Sequence, residues 1–288
     1  MRWFDYAAPA TLDEALRLYA ENPRALLLAG GTDLLVQMKV GRKHADLVID
    51  VKQIPELNSL QYDEEGLTLG ASVPCYRVYG SDVVRRRVPA LAETASIIGG
   101  TQIQGRASVG GNLCNAAPSA DTVPLLIALN AQCRIASASG KRTLPVEEFC
   151  VAPGRNALAP GELLISLQIP AAPVQSAAHY LRFIPRNEMD IAVAGAGVQV
   201  TLSGGSFVSA RIALASVAPT PVFAKAAGDS LTGKPVNAES IEAAAKLASD
   251  AASPITDMRG TAEYRRHLCS VLTRRALEAA VRHAQGVH

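Results

Sequence analysis

Apolar and polar residues follow two different periods in the first fifty residues. From Leu12 onward, apolar residues recur at helical spacing in ATLDEALRLYAEN,. Thr11 stands just before this pattern and Glu14 three residues later, which is the pattern of a helix-capping box. RALLLAG and ADLVIDV are apolar runs of strand length, and TDLLVQMKVG between them predicts a short helix that ends at Gly41,. The order α-β-α-β is therefore predicted.

The middle of the chain continues the mixture of helix and strand. EGLTLGAS predicts a strand, and helices rich in arginine and alanine follow it up to Ile98,. DTVPLLIALN predicts a helix with Pro124 near its first turn,. QCRIAS and ELLISLQIP predict two further strands, the second of which is stopped by Pro170,.

The last third of the chain has strands first and helices afterwards. PAAPVQSAA predicts a connection into this part,. YLRFIPRNEMDIAVAGAGVQVTL and GSFVSARIALASVAP alternate like two long strands around a hairpin at Gly204 and Gly205,. Two helices are predicted near residues 238–250 and 259–284. Strands followed by helices favour an α+β domain.

Composition and charge exclude several classes of function. The 288 residues are 49% apolar, which is enough for a sizeable core, and the formal net charge is only +2,. The densest basic run, Arg85–Arg87, lies beside a proline and is typical of a solvated helix end rather than of a nucleic-acid site,. The N-terminus contains scattered charges and no apolar core of signal-peptide length, and no window of the chain approaches the length of a membrane span,. A cytoplasmic protein is expected.

The cysteines and histidines indicate no metal site. The five cysteines are isolated along the chain, without a CxxC pair, and an odd number fits poorly with a disulfide framework,. Neither they nor the five histidines have the spacing of a zinc or iron–sulfur site,. The chain is therefore expected to carry no metal of its own.

Two glycine pairs, Gly30–Gly31 and Gly110–Gly111, raise the question of a ligand. A tight turn explains one glycine, whereas a pair suggests close approach to the backbone. Small polar residues flank both pairs, namely Thr32, Asp33, Ser108 and Asn112. Two such loops can converge on one diphosphate and bind it through backbone N–H groups. Neither pair belongs to a GxGxxG or GxxxxGK[ST] motif, so the spacing alone does not identify a nucleotide.

AGGTDLLVQMK and ASVGGNLCNAAPSADTVP resemble the FAD-binding subunits of molybdenum hydroxylases, a family that includes the medium subunit of carbon monoxide dehydrogenase and the flavin domain of xanthine dehydrogenase. The resemblance covers nearly the whole chain. It implies an α+β fold with two FAD-binding subdomains of the vanillyl-alcohol-oxidase type, at residues 1–58 and 59–172, and a C-terminal α+β domain at 173–288. It also implies non-covalently bound FAD.

The resemblance implies that two segments bind the cofactor. The first is expected to wrap the pyrophosphate and the start of the ribityl chain, and it consists of Leu27, Leu28, Ala29, Gly30, Gly31, Thr32, Asp33 and Leu34. The second is expected to form a facing loop, and it consists of Ser108, Val109, Gly110, Gly111 and Asn112. Asn115 matches a hydrogen-bonding position, with a turn residue as the alternative. Asp121 matches an acid that accepts from cofactor hydroxyls, with a helix N-cap as the alternative.

Four more positions match the neighbourhood of the flavin. Gly99 matches backbone that lies against FAD, and Ile98 and Leu164 match apolar positions beside it, with the protein core as the alternative. Arg182 matches a cation near the flavin, with a surface arginine as the alternative. The RNEMD stretch departs from the acidic run of xanthine dehydrogenase, which puts a role in handling NAD in doubt. Cys114 suggests a covalent flavin link, but a small buried apolar residue is favoured.

The function implied by the resemblance is electron transfer within a three-subunit enzyme. A large partner would carry molybdopterin and a small partner two 2Fe-2S clusters, and a dimer of such heterotrimers is expected. No residue of this chain is then needed as an acid or base on the organic substrate. Two alternatives remain: a self-sufficient FAD-dependent reductase of the same fold and a non-catalytic nucleotide-binding scaffold.

Overall fold

The N-terminal segment forms a small parallel sheet. The structure is a computed structural model, and it describes residues 1–287. The strands lie in the order β1-β3-β2, with β1 at Asp5–Ala7, β2 at Leu26–Leu28 and β3 at Leu47–Asp50. Helices α1 (Leu12–Glu21) and α2 (Leu34–Lys39) connect them. The predicted α-β-α-β order is confirmed, but β1 precedes it and was missed because a three-residue, largely exposed strand leaves no apolar pattern.

Helix α1 begins as its sequence predicts. The hydroxyl of Thr11 accepts a hydrogen bond from the amide of Glu14 at 3.3 Å. This bond satisfies one of the amide groups that have no partner within the first turn of a helix. Leu12, Ala15 and Leu16 lie on the buried face and pack against the sheet.

We expect Thr11→Ala to lower the free energy of unfolding by about 1 kcal/mol, because an exposed cap is lost without a cavity in the core. Urea unfolding measures the difference. Thr11→Ser keeps the hydroxyl and is expected to stay close to the wild type. Equal losses in both variants would show that the methyl group of Thr11, and not its hydroxyl, stabilises the helix.

An antiparallel sheet of five strands follows, in the order β4-β5-β10-β6-β7. Its strands are β4 (Leu60–Asp63), β5 (Gly66–Gly70), β6 (Gln132–Ser137), β7 (Gly140–Pro145) and β10 (Leu163–Pro170). The central strand β10 is buried along its length except at Pro170, as its apolar sequence predicts,. A small hairpin, β8 (Cys150–Ala152) and β9 (Arg155–Asn156), precedes β10, and short 3₁₀ turns occur at Pro55–Asn58 and Val146–Glu148.

Six helices lie between β5 and β6 and pack with this sheet around the largest apolar core. They are α3 (Cys75–Gly80), α4 (Asp82–Arg87), α5 (Pro89–Ser96), α6 (Thr101–Gln104), α7 (Val109–Asn115) and α8 (Thr122–Ala128). Leu67, Leu91 and Leu125 represent the buried side chains of this core. The Arg85–Arg87 run lies at the exposed end of α4, as predicted.

The C-terminal part is a four-stranded antiparallel sheet covered by helices. Its strands follow chain order: β11 (Ser176–Phe183), β12 (Ala194–Ser203), β13 (Ser206–Ala215) and β14 (Val222–Phe223). Helices α9 (Lys225–Asp229), α10 (Ala238–Asp250) and α11 (Ala262–Ala284) follow. The hairpin at Gly204 and Gly205 and the two long helices are confirmed.

Two details of the predicted C-terminal part are wrong. The first long strand is two strands, because the segment 184–193 leaves the sheet between β11 and β12. Pro185 lacks the N–H group that would continue the ladder, and polar residues follow it,. The predicted connection also ends earlier than expected, since β11 begins at Ser176.

The C-terminal sheet packs directly on α8. A Cβ atom added to Gly197 of β12 would lie 2.7 Å from the amide nitrogen of Leu125, so a larger residue has no room there. From β13, Arg211 donates to the carbonyl of Ile127 at 3.0 Å and to the carboxylate of Glu147 at 2.8 Å. Helix α8 therefore lies between the two sheets. No helix among residues 1–287 has the length and apolar character needed to cross a membrane.

Candidate functional site

The two glycine segments lie side by side. Gly30 lies two residues after the end of β2, and Arg106 lies two residues before the N-cap of α7. The guanidinium Nε of Arg106 donates to the carbonyl of Gly30 at 3.3 Å. A Cβ added to Gly30 would lie only 2.1 Å from the carbonyl oxygen of Arg106. The structure thus brings together two segments that are about eighty residues apart in the chain.

The four glycines are needed for three different reasons. At Gly30 and Gly110 the close neighbour is the protein itself, since a Cβ on Gly110 would lie 2.5 Å from the Cα and carbonyl oxygen of Ala71. Gly31 has a φ of +77°, which residues with a side chain rarely adopt,. At Gly111 an added Cβ would meet only the Ser108 hydroxyl, at 2.9 Å, and otherwise open space. Of these four glycines, only Gly111 borders open space that a ligand could occupy.

The second segment is helical and not the predicted facing loop. Ser108 is the N-cap of α7, and its hydroxyl accepts from the amide of Gly111 at 3.0 Å. Asn112 lies within the same helix. Adjacent glycines disfavour a helix when considered alone, which is why the sequence indicated a loop. The cap and the packing of Gly110 on Ala71 outweigh that preference.

The first segment offers unused hydrogen-bond donors. Among residues 1–287, no acceptor is found for the amide groups of Gly31, Thr32 and Asp33. The carbonyl of Gly31 accepts from Leu35 in the first turn of α2. Consecutive amides without an intramolecular acceptor suit the oxygens of a diphosphate. Thr32 is half-buried and Asp33 is exposed.

Two side-chain hydrogen bonds join the helices around the glycine segments. The side-chain amide of Gln37 in α2 donates to the side-chain oxygen of Asn115 at 3.0 Å. The hydroxyl of Thr122 donates to the side-chain oxygen of Asn112 at 2.7 Å. Asn115 is the last residue of α7, and Gln37 of α2 holds its side chain. A residue that only forms a turn would not need this contact. Sequence analysis missed Gln37 and Thr122, because no local pattern marks them.

Asp121 is the centre of a buried polar cluster. Its carboxylate accepts from the guanidinium of Arg182 at 2.5 Å and from the phenol of Tyr180 at 2.8 Å. Asp121 occupies the N-cap position of α8, but its side chain accepts from no backbone amide of that helix. The side chain of Arg182 is only 10% exposed, so the surface-arginine alternative is wrong. Sequence analysis missed Tyr180.

Burial controls the protonation of this cluster. Desolvation raises the pKa of the Asp121 carboxyl, and the charge of Arg182 and the hydrogen bond from Tyr180 oppose that rise. Desolvation, together with the neighbouring carboxylate, raises the pKa of Tyr180 well above its usual value, so the phenol remains a donor,. Asp121 and Arg182 therefore face each other as a largely buried acid–base pair.

Arg182 also holds the turn that contains Ile98 and Gly99. Its guanidinium donates to the carbonyl of Ile97 at 3.0 Å. Gly99 has a φ of +56°, and an added Cβ would lie 2.9 Å from the side chain of Ile103. On the other side, the sulfur of Met189 would be 3.1 Å from a Cβ added to Gly100. The loop between β11 and β12 therefore lies against this turn.

Several predicted site residues have side chains in the core. Leu28, Val109 and Leu164 are 7%, 0% and 3% exposed, respectively. Leu164 packs in the same apolar cluster as Val109, beneath α7. Their side chains stabilise the segments, and only their backbone could face a ligand. Leu27, Ala29, Leu34 and Ile98 are partly exposed.

Comparison with known proteins identifies the family. Residues 2–172 match the family model described as the FAD binding domain in molybdopterin dehydrogenase, and residues 179–280 match the CO dehydrogenase flavoprotein C-terminal domain. The chain belongs to the FAD-binding subunits of the molybdenum-containing dehydrogenases. The α+β fold and the FAD-binding domain implied by the sequence motifs are confirmed.

Relatives match this flavoprotein subunit over almost its full length. The xanthine dehydrogenase FAD-binding subunit of Escherichia coli O157:H7 is 32% identical and covers 98% of this chain and 99% of its own. The carbon monoxide dehydrogenase medium chain of Hydrogenophaga pseudoflava is also 32% identical, with 96% of both chains covered. A carbon monoxide dehydrogenase structure from that organism superposes with a TM-score of 0.93 at 33% identity, with 97% of both chains covered.

A second solved structure supports the same placement of the flavoprotein subunit. Quinoline 2-oxidoreductase from Pseudomonas putida 86 superposes with a TM-score of 0.91 at 29% identity and covers 99% of this chain and 98% of its own. The chain is thus a subunit of an oxidoreductase, homologous to the medium subunit of complexes of the carbon monoxide dehydrogenase type.

The residues present fit a bound FAD. The free amides at Gly31, Thr32 and Asp33 suit its diphosphate, and the open side of Gly111 leaves room beside them,. Asn112, Asn115 and Asp121 provide polar side chains on neighbouring helices. This set of donors and acceptors matches a ligand that has both phosphates and hydroxyl groups.

Cys114 is poorly suited to a covalent flavin link. Burial raises the pKa of its thiol to about 12, so the nucleophilic thiolate is disfavoured at neutral pH,. Its carbonyl accepts from the side chain of Asn156 at 2.8 Å. Within residues 1–287, no three His, Cys, Asp or Glu side chains are grouped so that they could hold a metal ion, and His288 lies outside the described residues.

Proposed function

We propose that this chain is the FAD-carrying electron-transfer subunit of a heterotrimeric molybdenum hydroxylase. The observation that carries the proposal is the convergence of the two glycine segments and the Asp121 cluster in a member of this FAD-binding family. Bound FAD would supply the redox chemistry, because flavin accepts electrons singly and delivers them in pairs. The chain itself binds and orients the cofactor.

Each part of the site has a distinct task in this proposal. The Leu27–Leu34 segment holds the diphosphate through its amides, and helix α7 presents the open side of Gly111 to it. Asn115 and Asp121 bind polar groups of the cofactor. The Ile98–Gly99 turn places backbone against the flavin and is fixed by Arg182. No group of the chain needs to act as an acid or base on an organic substrate.

Partners complete the proposed enzyme. A large subunit with molybdopterin would oxidise the substrate, and a small subunit with 2Fe-2S clusters would pass electrons to this chain. Full-length similarity to a carbon monoxide dehydrogenase medium chain supports this arrangement. A dimer of heterotrimers and a cytoplasmic location stay predictions. We also propose domain boundaries at 58/59 and 172/173, because each of the three larger sheets lies within one of the resulting segments.

The absorption spectrum and the co-purifying chains test this function. We expect the native protein to show the absorption bands of oxidised flavin. We also expect two further chains to co-purify with it, one containing molybdenum and one containing iron. We expect the isolated chain to keep flavin but not to be bleached by aldehydes, N-heterocycles or carbon monoxide, since substrate oxidation needs the molybdenum centre. Bleaching of the isolated chain by NADPH would favour the self-sufficient reductase, and a colourless native complex would favour the scaffold.

A further inference from the structure

A buried series of hydrogen bonds connects the C-terminal sheet to the turn proposed to lie against the flavin. Tyr180 and Arg182 are both on β11, and both donate to the carboxylate of Asp121, one to each oxygen. Arg182 uses its second nitrogen on the carbonyl of Ile97. Tyr180 itself is 7% exposed and lies in the core. The series Tyr180–Asp121–Arg182–Ile97 is called the β11 clamp below.

The fold makes specific room for Tyr180. A Cβ added to Gly195 in β12 would lie 2.5 Å from the Tyr180 hydroxyl oxygen. The glycine at this position therefore allows the phenol to reach across to Asp121. A buried hydroxyl without a hydrogen-bond partner is costly, and Asp121 is the acceptor for the phenol of Tyr180,.

We propose that Tyr180 is a positioning residue for the flavin site. By occupying one oxygen of Asp121, it orients the carboxylate so that the other oxygen holds Arg182, and Arg182 in turn holds the Ile97 carbonyl and the Ile98–Gly99 turn. The C-terminal domain thereby helps to shape a site that lies mainly in the FAD-binding domain. This inference rests on the proposed function, because it assigns a role toward bound FAD.

The chain contains a second clamp of the same design that serves as a control. Arg211 on β13 donates to the carbonyl of Ile127 and to the carboxylate of Glu147, so it also joins the C-terminal sheet to the FAD-binding domain. It holds the end of α8 and the turn before β8, and none of its partners belongs to the proposed flavin site. A purely structural role predicts that both clamps affect FAD in the same way.

The test compares Tyr180→Phe with Arg211→Gln in the full chain, together with any chains that co-purify with it. We expect Tyr180→Phe to weaken FAD binding about tenfold in a titration of the FAD-free protein with FAD, and to change the visible circular dichroism of the bound flavin. We expect Arg211→Gln to lower the unfolding temperature while both flavin properties stay at wild-type values. Asp121→Asn provides a second variant should Tyr180→Phe fail to fold, and it is expected to weaken FAD binding at least as much.

Three results would overturn the proposal. FAD binding and circular dichroism at wild-type values in Tyr180→Phe would show that the phenol does not position the site. Equal weakening of FAD binding in Tyr180→Phe and Arg211→Gln would show that domain packing in general, and not the β11 clamp, is responsible. A wild-type protein that binds no FAD would instead remove the proposed function, and this inference with it.

Discussion

Gly111→Val is expected to lower the affinity for FAD at least about a hundredfold, or roughly 2.7 kcal/mol, in a chain that still folds. The added carbons would enter the open space beside α7, where an added Cβ meets only the Ser108 hydroxyl. Valine has a higher helix propensity than glycine, which partly offsets the displacement of the Ser108 cap that the 2.9 Å approach of the added Cβ requires,. The flavin-to-protein ratio after purification and a titration with FAD measure the loss, and circular dichroism in the far ultraviolet checks folding.

Gly80→Val is the matched control for this variant. Gly80 also lies in a short helix, and an added Cβ there meets nothing within 4 Å. We expect this variant to bind FAD as the wild type does. A substitution at Gly31 is unsuitable as a test, because its φ of +77° would strain any residue with a side chain,. The variant would then lose stability in addition to FAD affinity. Full flavin content in Gly111→Val would mean that the diphosphate lies elsewhere.

Local signals were sufficient for much of the fold. Thr11 and the apolar face behind it predicted α1, and the glycine pair at 204 and 205 predicted the β12–β13 hairpin. Such features depend on residues that are close in the chain, so the sequence contains them directly. The strand β1 depends on pairing with the distant strand β3, and periodicity did not reveal it. The break between β11 and β12 has a local cause in Pro185, but the apolar alternation on both sides of it indicated one continuous strand,.

The glycine pairs show where local reasoning fails. Both pairs were predicted to be loops around a ligand, and the prediction that they converge agrees with the contact of Gly30 with Arg106. However, the sequence could not distinguish glycines that contact the protein backbone from one that borders open space. That difference depends on Ala71 and Arg106, which are far from the glycines they touch in the chain. A glycine therefore predicts that another group lies close to the backbone, but it does not distinguish a protein segment from a ligand.

The Asp121 cluster was the least predictable part of the site. Asp121 and Arg182 were both identified from the family motifs, but nothing in the sequence pairs residues that are 61 positions apart. Their contact depends on the packing of β12 against α8, for which Gly197 leaves room. Tyr180 had no signal of its own, since a tyrosine in an alternating strand usually indicates only a core position.

Asp121→Ala is expected to lower the free energy of unfolding by about 3 to 5 kcal/mol, because it leaves a buried arginine without a counter-charge. The side chains of Asp121 and Arg182 are 13% and 10% exposed, so water cannot replace the lost carboxylate effectively. The Tyr180 hydroxyl loses its acceptor in the same variant,. Urea unfolding of the FAD-free protein measures the change without the stabilisation that a bound ligand adds.

Glu147→Ala removes the carboxylate that pairs with Arg211, and its loss in free energy of unfolding is the comparison for Asp121→Ala. The side chains of Arg211 and Glu147 are 26% and 19% exposed, so water compensates more of the lost pairing. We expect about half the destabilisation of Asp121→Ala, or roughly 2 kcal/mol. The order of the two variants is the decisive observation, since the Asp121–Arg182 pair is the more buried of the two and Asp121 also accepts from Tyr180. If Glu147→Ala were the more destabilising, the Asp121–Arg182 pair would be more hydrated than its surroundings indicate, and α8 would be held to the C-terminal sheet chiefly through Arg211.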